Sequence, residues 1–314
     1  MTAAICALIL AISGVGGERS DTLKLMFWNL ENFFDWRNDS TSVSDAEFSS
    51  RGARHWTRKR FNAKANAIAK GILWTAGEKG AMPDVIGFAE LENAFVLRRL
   101  LHGTALEKLD YGIVHFDSPD SRGIDVGLIY RKGTVEVLEA RPVRLDTALV
   151  KTRDILFVRL RKGAGEELGL MITHFPSKYG GTAASEPKRR LAAARLASLA
   201  DSLRAAGLSR IVAAGDFNDT PDNPPFEEMG LVSIGLPLWR RGTGSIKYEG
   251  TWELIDLAFA SEACADTKME VVRIPFLLTR DTAYGGDKPL RTYTGPRYQG
   301  GVSDHCPLWL EIPL

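Results

Sequence analysis

Ile211-Val212-Ala213-Ala214-Gly215-Asp216-Phe217-Asn218-Asp219 decides how the rest of the chain reads. Its first four residues form a short apolar run with the length and composition of a buried strand. The run breaks at Gly215, and Asp216, Asn218 and Asp219 place three oxygen-bearing side chains directly after it. In layered α/β proteins, ligands and chemistry collect at the carboxyl ends of buried strands. Asp and Asn are also ordinary turn residues, so the stretch alone fits a strand closed by an Asx turn equally well. The two readings part on whether other strands supply partners.

Working outward, several do. Leu23 to Trp28 reads as a buried strand ending on Asn29, and Pro83 to Ala89 as another ending on Glu90. Leu168 to Thr173 delivers His174 in the same way. Arg122 to Tyr130, Val135 to Leu138 and Ile155 to Leu160 read as further strands. Trp252 to Ser261 reads as one strand with a single carboxylate, Asp256, inside a mostly apolar run. A carboxylate so placed needs a partner or shifts its pKa. The last strand, Leu308 to Ile312, follows Ser303-Asp304-His305-Cys306-Pro307. Between the strands, Thr57 to Ala76 is predicted helical, with Phe61, Ala65, Ile68 and Ile72 on one face. Ala94 to Leu101 reads as a short helix. A longer one starts at Ser185 as N-cap and runs through Ala206, with Gly207 closing it. Leu30 to Ser50 and Pro221 to Pro225 read as loop. The simplest organisation is one domain over residues 21–314.

Composition bounds the alternatives. The 314 residues are 45% hydrophobic and 25% charged, as in soluble globular proteins. A net charge of +1 excludes a whole-surface field for a polyanion, so any nucleic-acid contact must be local. Arg51 to Lys70 holds seven Lys/Arg and no acid, and reads as a solvated helix face in preference to a phosphate-facing patch. Residues 1–17 stand apart. Ala3 to Val15 is almost wholly apolar and runs into small residues, which resembles an export signal, although no basic residue precedes it. It is too short to span a bilayer. The expectation is export to a periplasmic or extracellular space. Cys6 lies within that segment, leaving Cys264 and Cys306 able to form one bridge there. Neither has metal-ligand spacing, which argues against zinc.

Taken together, Phe27-Trp28-Asn29, Asp84 to Glu90, Thr173-His174, Gly215 to Asp219, Trp252 to Asp256 and Ser303 to Pro307 resemble the endonuclease/exonuclease/phosphatase superfamily, the deoxyribonuclease I-like proteins. Gly-Asp-Phe-Asn with a terminal Ser-Asp-His-x-Pro is a specific combination. The resemblance implies a four-layered α/β/β/α sandwich, two mostly antiparallel sheets face to face with helices outside. Three features are similar to a bacterial secreted nuclease branch: Arg122 to Val126, His174 to Lys178 with Gly180-Gly181, and Tyr298 to Val302.

The resemblance also implies roles. A divalent metal is expected at Glu90, with Asn29 and Asp304 close to it. Oxygen ligands suit Mg²⁺, with Mn²⁺ or Ca²⁺ as alternatives. His305 is expected to pair with Asp256, and His174 to contact the phosphate or aid the leaving group. Asp216, oriented with Asn218, competes with His305 for the role of base. Arg122 and Lys178 are candidate phosphate clamps. The expected activity is metal-dependent phosphodiester hydrolysis by a monomeric nuclease acting on DNA, without membrane insertion or a protein partner. Two rivals stand beside it. One is a phosphatase or lipid phosphodiesterase on the same fold. The other is a non-catalytic binding module, disfavoured because no matched position is substituted. Tyr293, Arg297 and Tyr298 suit either base stacking or anchoring of the Pro275 to Val302 loop, and anchoring is preferred.

Overall fold

The computed structural model describes residues 22–39, 42–145, 151–178 and 180–314. The stretch 1–17 expected to be an export signal, Cys6 included, lies outside the described residues.

Two six-stranded sheets carry the fold. The first contains β1 (Thr22–Phe33), β2 (Val85–Leu91), β3 (Tyr111–His115), β4 (Asp125–Arg131), β13 (Lys268–Val271) and β18 (Leu308–Pro313), in the order β13-β18-β1-β2-β4-β3. The second contains β5 (Val135–Val143), β6 (Ile155–Lys162), β7 (Glu167–His174), β8 (Ile211–Asp216), β9 (Val232–Ser233) and β12 (Asp256–Ala260), in the order β5-β6-β7-β8-β12-β9. Three small hairpins complete the strands: β10 (Ile246–Tyr248) with β11 (Thr251–Glu253), β14 (Leu278–Arg280) with β15 (Asp287–Pro289), and β16 (Tyr293–Thr294) with β17 (Arg297–Tyr298).

The period-two alternation of a strand divides the apolar residues between two cores. On β1, Leu23, Leu25 and Phe27 enter the core between the sheets, while Met26 and Trp28 face the other way. There they meet Phe61, Ala65, Ile68 and Ile72 of the Arg58–Lys79 helix and Val96, Leu97 and Leu100 of the Ala94–His102 helix. Ala192, Leu196, Leu199 and Leu203 of the Thr182–Ala205 helix cover the second sheet. The result is the four-layered α/β/β/α sandwich. Gly87 on β2 lets the sheets close, since a Cβ there would stand 2.7 Å from Cδ1 of Ile172 on β7.

Each large sheet has a single parallel pair, β1 with β2 and β7 with β8. The other pairings within both sheets are antiparallel. Parallel neighbours end at the same edge, so β1 and β2 deliver Asn29 and Glu90 side by side, and β7 and β8 deliver His174 opposite Asp216. Antiparallel neighbours begin where these end. Asp256 opens β12 opposite Asp216, Arg122 precedes β4, and Asp304-His305 precede β18, whose Leu308 pairs with Phe27. Topology alone therefore gathers these residues on one rim.

Several expectations need correction. Trp252 to Ser261 is not one strand: Trp252 belongs to the β10–β11 hairpin, and Leu254-Ile255 carry the chain into β12. Leu30 to Ser50 is not all loop, because β1 continues to Phe33 and Val43–Glu47 is helical. Pro224–Glu227 forms a short helix with proline in its first turn, where the missing N–H costs nothing. The Thr182–Ala205 helix starts before Ser185. Cys264 and Cys306 are both buried free thiols. Cys264 follows the far end of β12, whereas Cys306 adjoins His305 on the site rim, so the sheets hold the two apart.

Candidate active site

Local chemistry explains how each group is aimed. Gly215 precedes Asp216 because a Cβ there would lie 2.2 Å from the Thr173 carbonyl oxygen of β7. Only glycine lets the strand ends come this close. Gly215→Ala is expected to cost about 1–3 kcal/mol, the usual range for overpacking, measured by chemical denaturation, and to lower turnover by moving Asp216. Beyond Asp216 the chain turns through Asn218 with φ at 51°. The Asn218 amide donates to Asp216 Oδ1 at 2.8 Å, and its side-chain amide to the Phe175 carbonyl at 3.0 Å. The turn and the aiming of Asp216 are thus one structure. Glu31, Asn32 and Glu90 also have positive φ, so this rim holds four of the six such non-glycine residues among those described. Backbone strain of this kind persists where the surroundings fix it, often at functional sites.

Asp216 is the hub. Asn29 donates from Nδ2 to its Oδ2 at 3.0 Å, and Nε2 of His174 and of His305 stand 3.5 and 3.8 Å from the same oxygen. Burial pushes its pKa up to about 7, against the pull of His305. His305 Nδ1 lies 2.7 Å from Asp256 Oδ2. Burial alone would lower the His305 imidazole, but Asp256, helped by Asp216 and Asp304, holds its pKa well above the usual histidine value. His174 is the reverse case. Burial, reinforced by Arg153, Arg122 and His305, keeps it well below that value, so it is neutral near pH 7. Its Nε2 also lies 3.9 Å from Glu90, and its Nδ1 has no hydrogen-bond partner.

Asn29, Glu90 and Asp304 offer amide and carboxylate oxygens, the hard donors that magnesium or manganese takes. Glu90 Oε2 accepts from the Asn32 amide, and Asn29 Oδ1 accepts from the Glu31 amide, which leaves each side chain further lone pairs. The donor set fits a divalent cation. Asp216, Asp256 and His305 also group tightly enough to ligate one. However, His305 Nδ1 and Asp256 Oδ2 already pair at 2.7 Å. We therefore read that group as a hydrogen-bonded relay.

Arg122, the candidate phosphate clamp, lies on the rim. It donates to Asn32 Oδ1 at 2.7 Å and stands 3.5 Å from Glu90. Its turn is pinned by Ser42 and Asp120, and the carboxylate of Asp125 just beyond is engaged by His115 and Ser118. Lys178 pairs with Asp219 at 3.2 Å and with Glu253 at 3.9 Å, apart from the Asp216 group. Asp219 closes its turn, accepting from Arg189 and from the Thr220 amide.

The sequence reading missed Glu31, Asn32, Lys64 and Arg291. Lys64 is no solvated residue. It is 1% exposed and donates to the Glu31 carbonyl and to Thr292 Oγ1, both at 2.7 Å. Burial lowers its pKa to about 8 against Glu31, Glu90 and Asp304, while burial raises Glu31 to about 7. Arg291 joins Glu31 at 2.8 Å to Asp304 at 3.0 Å. The signal for Lys64 was its position three residues after Phe61 and four before Ile68, inside the apolar stripe. Tyr293 is a loop anchor, packed edge-on against Phe48 and tilted on Trp56, with Tyr298 beside it.

Two face-to-face sheets that share a rim of carboxylates, carboxamides and a His–Asp couple define a phosphoesterase of the deoxyribonuclease I-like class. The chain belongs to the endonuclease/exonuclease/phosphatase family, whose sequence profile matches residues 24–313. No curated protein matches it significantly by sequence. Solved structures share its fold. A humanized D. rerio TDP2 superposes with a TM-score of 0.58 at 14% identity, over 94% of this chain and 100% of that one. The mannosyl-6-phosphatase of Bacteroides thetaiotaomicron gives 0.57 at 15% identity, over 93% of this chain and 100% of that one. The human Nocturnin catalytic domain with bound sulfate gives 0.56 at 15% identity, over 93% of this chain and 94% of that one.

Proposed function

We propose that this protein hydrolyses phosphodiester bonds of DNA with the help of a divalent cation, magnesium or manganese. The observation that carries the reading is the convergence on Asp216 of Asn29, His174 and His305, the last held by Asp256. Hydrolysis needs a water placed in line, positive charge on the non-bridging oxygens, and help for the departing oxygen. In our reading Asp216, unprotonated above about pH 7, takes the proton of the attacking water. His305, kept cationic by Asp256, faces the phosphate as a charged donor. His174, neutral and beside both Glu90 and Asp216, positions the phosphate. Glu90, Asn29 and Asp304 would hold the cation, whose contribution is charge neutralisation on the phosphoryl oxygens. Arg122 adds a guanidinium fork at the same edge.

Relatives in fold span more than one chemistry: one D. rerio TDP2 structure holds a single-strand DNA product, and another neighbour is a mannosyl-6-phosphatase. Among the described residues no helix is long and apolar enough to cross a membrane. We also propose one catalytic domain over 21–314 and a removable export signal at 1–17, resting on the apolar run Ala3 to Val15. We take the monomer, without protein partner, as the working unit.

The deciding experiment offers plasmid, linear and single-stranded DNA, RNA, phosphoinositides, sphingomyelin and bis-p-nitrophenyl phosphate, each with and without EDTA. Plasmid nicking that EDTA stops and Mg²⁺ restores is the expected result. Inert DNA beside a hydrolysed phosphoinositide or sphingomyelin would overturn it.

A further inference from the structure

Beside the active site a cleft of about 170 Å³ opens between Arg54 and the Arg291–Gly295 segment. Glu31 and Asn32 line it as well, so it continues the rim that carries Glu90 and Asp304. Its floor is aromatic, formed by Phe48 and Tyr293. Two guanidinium groups line it, and each is held by a carboxylate. Arg54 Nε donates to Glu47 at 2.7 Å, and its Nη1 donates to the Gly295 carbonyl. Its Cζ stands 5.3 Å from the Tyr293 ring centre and 5.6 Å from that of Phe48. Arg291 is fixed through Nε by Glu31 and through Nη2 by Asp304. A guanidinium carries five N–H donors, so each arginine keeps donors beyond those its carboxylate and carbonyl partners use.

Size and chemistry select the ligand. Cavities for whole small molecules run from roughly 300 to 1,000 Å³. This one is smaller, near the space of about six waters at ~30 Å³ each, which suits a single tetrahedral anion. Planar, pre-positioned guanidinium forks match phosphate oxygens. Beyond the cleft the basic surface continues through the exposed Arg51, Arg58 and Lys59, and Arg60 lies 4.4 Å over the Tyr298 ring. A compact headgroup would leave that surface unused, whereas an extended strand would follow it.

We propose that the cleft is a second phosphate subsite, which takes the phosphate of the linkage next to the scissile bond in a polynucleotide strand. It rests on the phosphodiesterase reading above and adds what that reading lacks, a feature that separates a strand from a single ester. Arg54 is the subsite residue that can be altered without touching the groups around Asp216.

The test compares wild type, Arg54→Gln and Arg54→Lys on bis-p-nitrophenyl phosphate, which has one phosphate, and on a single-stranded 12-nucleotide DNA. For Arg54→Gln, kcat/KM on the oligonucleotide should fall about tenfold further than on the small diester, through KM, as expected for a lost charged hydrogen bond. The slope of log KM against log salt should become shallower by about 0.7, one phosphate contact on a single strand. Arg54→Lys, which keeps the charge, should keep that slope. If Arg54 only braces the Gly295 loop, both substrates lose equally and the slope stays, which overturns the subsite while leaving the hydrolase intact. Unchanged kinetics in both variants would overturn it too. Wild-type protein inert on both substrates would remove the hydrolase reading and the subsite with it.

Discussion

Asp216→Asn is expected to lower kcat on a phosphodiester about 10³-fold, inside the ~10²–10⁴ range for removal of a general base. The carboxamide has nearly the same shape and can still accept from the Asn218 amide, but it cannot take up a proton. The fold should persist, because burial already disfavours the charged carboxylate and pushes its pKa up to about 7. In wild type, catalysis should therefore rise with pH through about 7 as Asp216 loses its proton. The variant's residual rate should not show that rise. Steady-state rates from pH 5 to 9, beside circular dichroism of both proteins, check the point. A variant with wild-type kcat would remove Asp216 from the chemistry.

The second large effect belongs to Asp256→Asn. His305 owes its elevated pKa to this carboxylate, 2.7 Å from Nδ1, against a burial that works the other way. Without it, burial is opposed only by Asp216 and Asp304, and the imidazole pKa falls. An amide partner also permits the wrong tautomer, and such a change in a hydrogen-bonded His–Asp couple costs up to ~10⁴-fold in kcat. The sign follows from the role assigned to His305. If its protonated form is the active one, activity falls on the alkaline side, and Asp256→Asn moves that fall to lower pH. Were His305 the base instead, wild type would gain activity as the imidazole loses its proton, and the variant would gain it at lower pH. Both roles shift a limb to lower pH, and whether that limb falls or rises with pH separates them, which sequence left open.

Much of the rim was legible because strands advertise their ends. Asn29, Glu90, His174 and Asp216 each follow a short apolar run; the structure places the last three at or next to strand ends and Asn29 where the regular β1–β2 pairing breaks, all on one edge. Asp256 was legible for another reason, as a charge too close to a core to go unpartnered. What stayed hidden follows no period. Glu31 and Asn32 lie in left-handed conformations that continue β1 where polarity suggested loop. Arg291 sits in a glycine-rich segment without alternation, and only the fold brings it to Asp304. Lys64 was concealed by its own charge, since a run of basic residues reads as solvated until one of them proves to be inside. The break between β11 and β12 was invisible because Leu254 and Ile255 are as apolar as the strands they separate.

The antiparallel pairing of β18 with β1 sends the last strand away from the site, toward the far edge of the sheets. Thr22 opens β1 beside Pro313 near the close of β18, at the opposite end from Asn29 and His305. Lys162 anchors that edge by donating to Asp84 and to the Thr22 carbonyl. Anything joined after Leu314, whether an affinity handle or a surface linker, therefore leaves from the back of the molecule. Protein immobilised through that end should present its mouth to the solution and keep the turnover of the free enzyme.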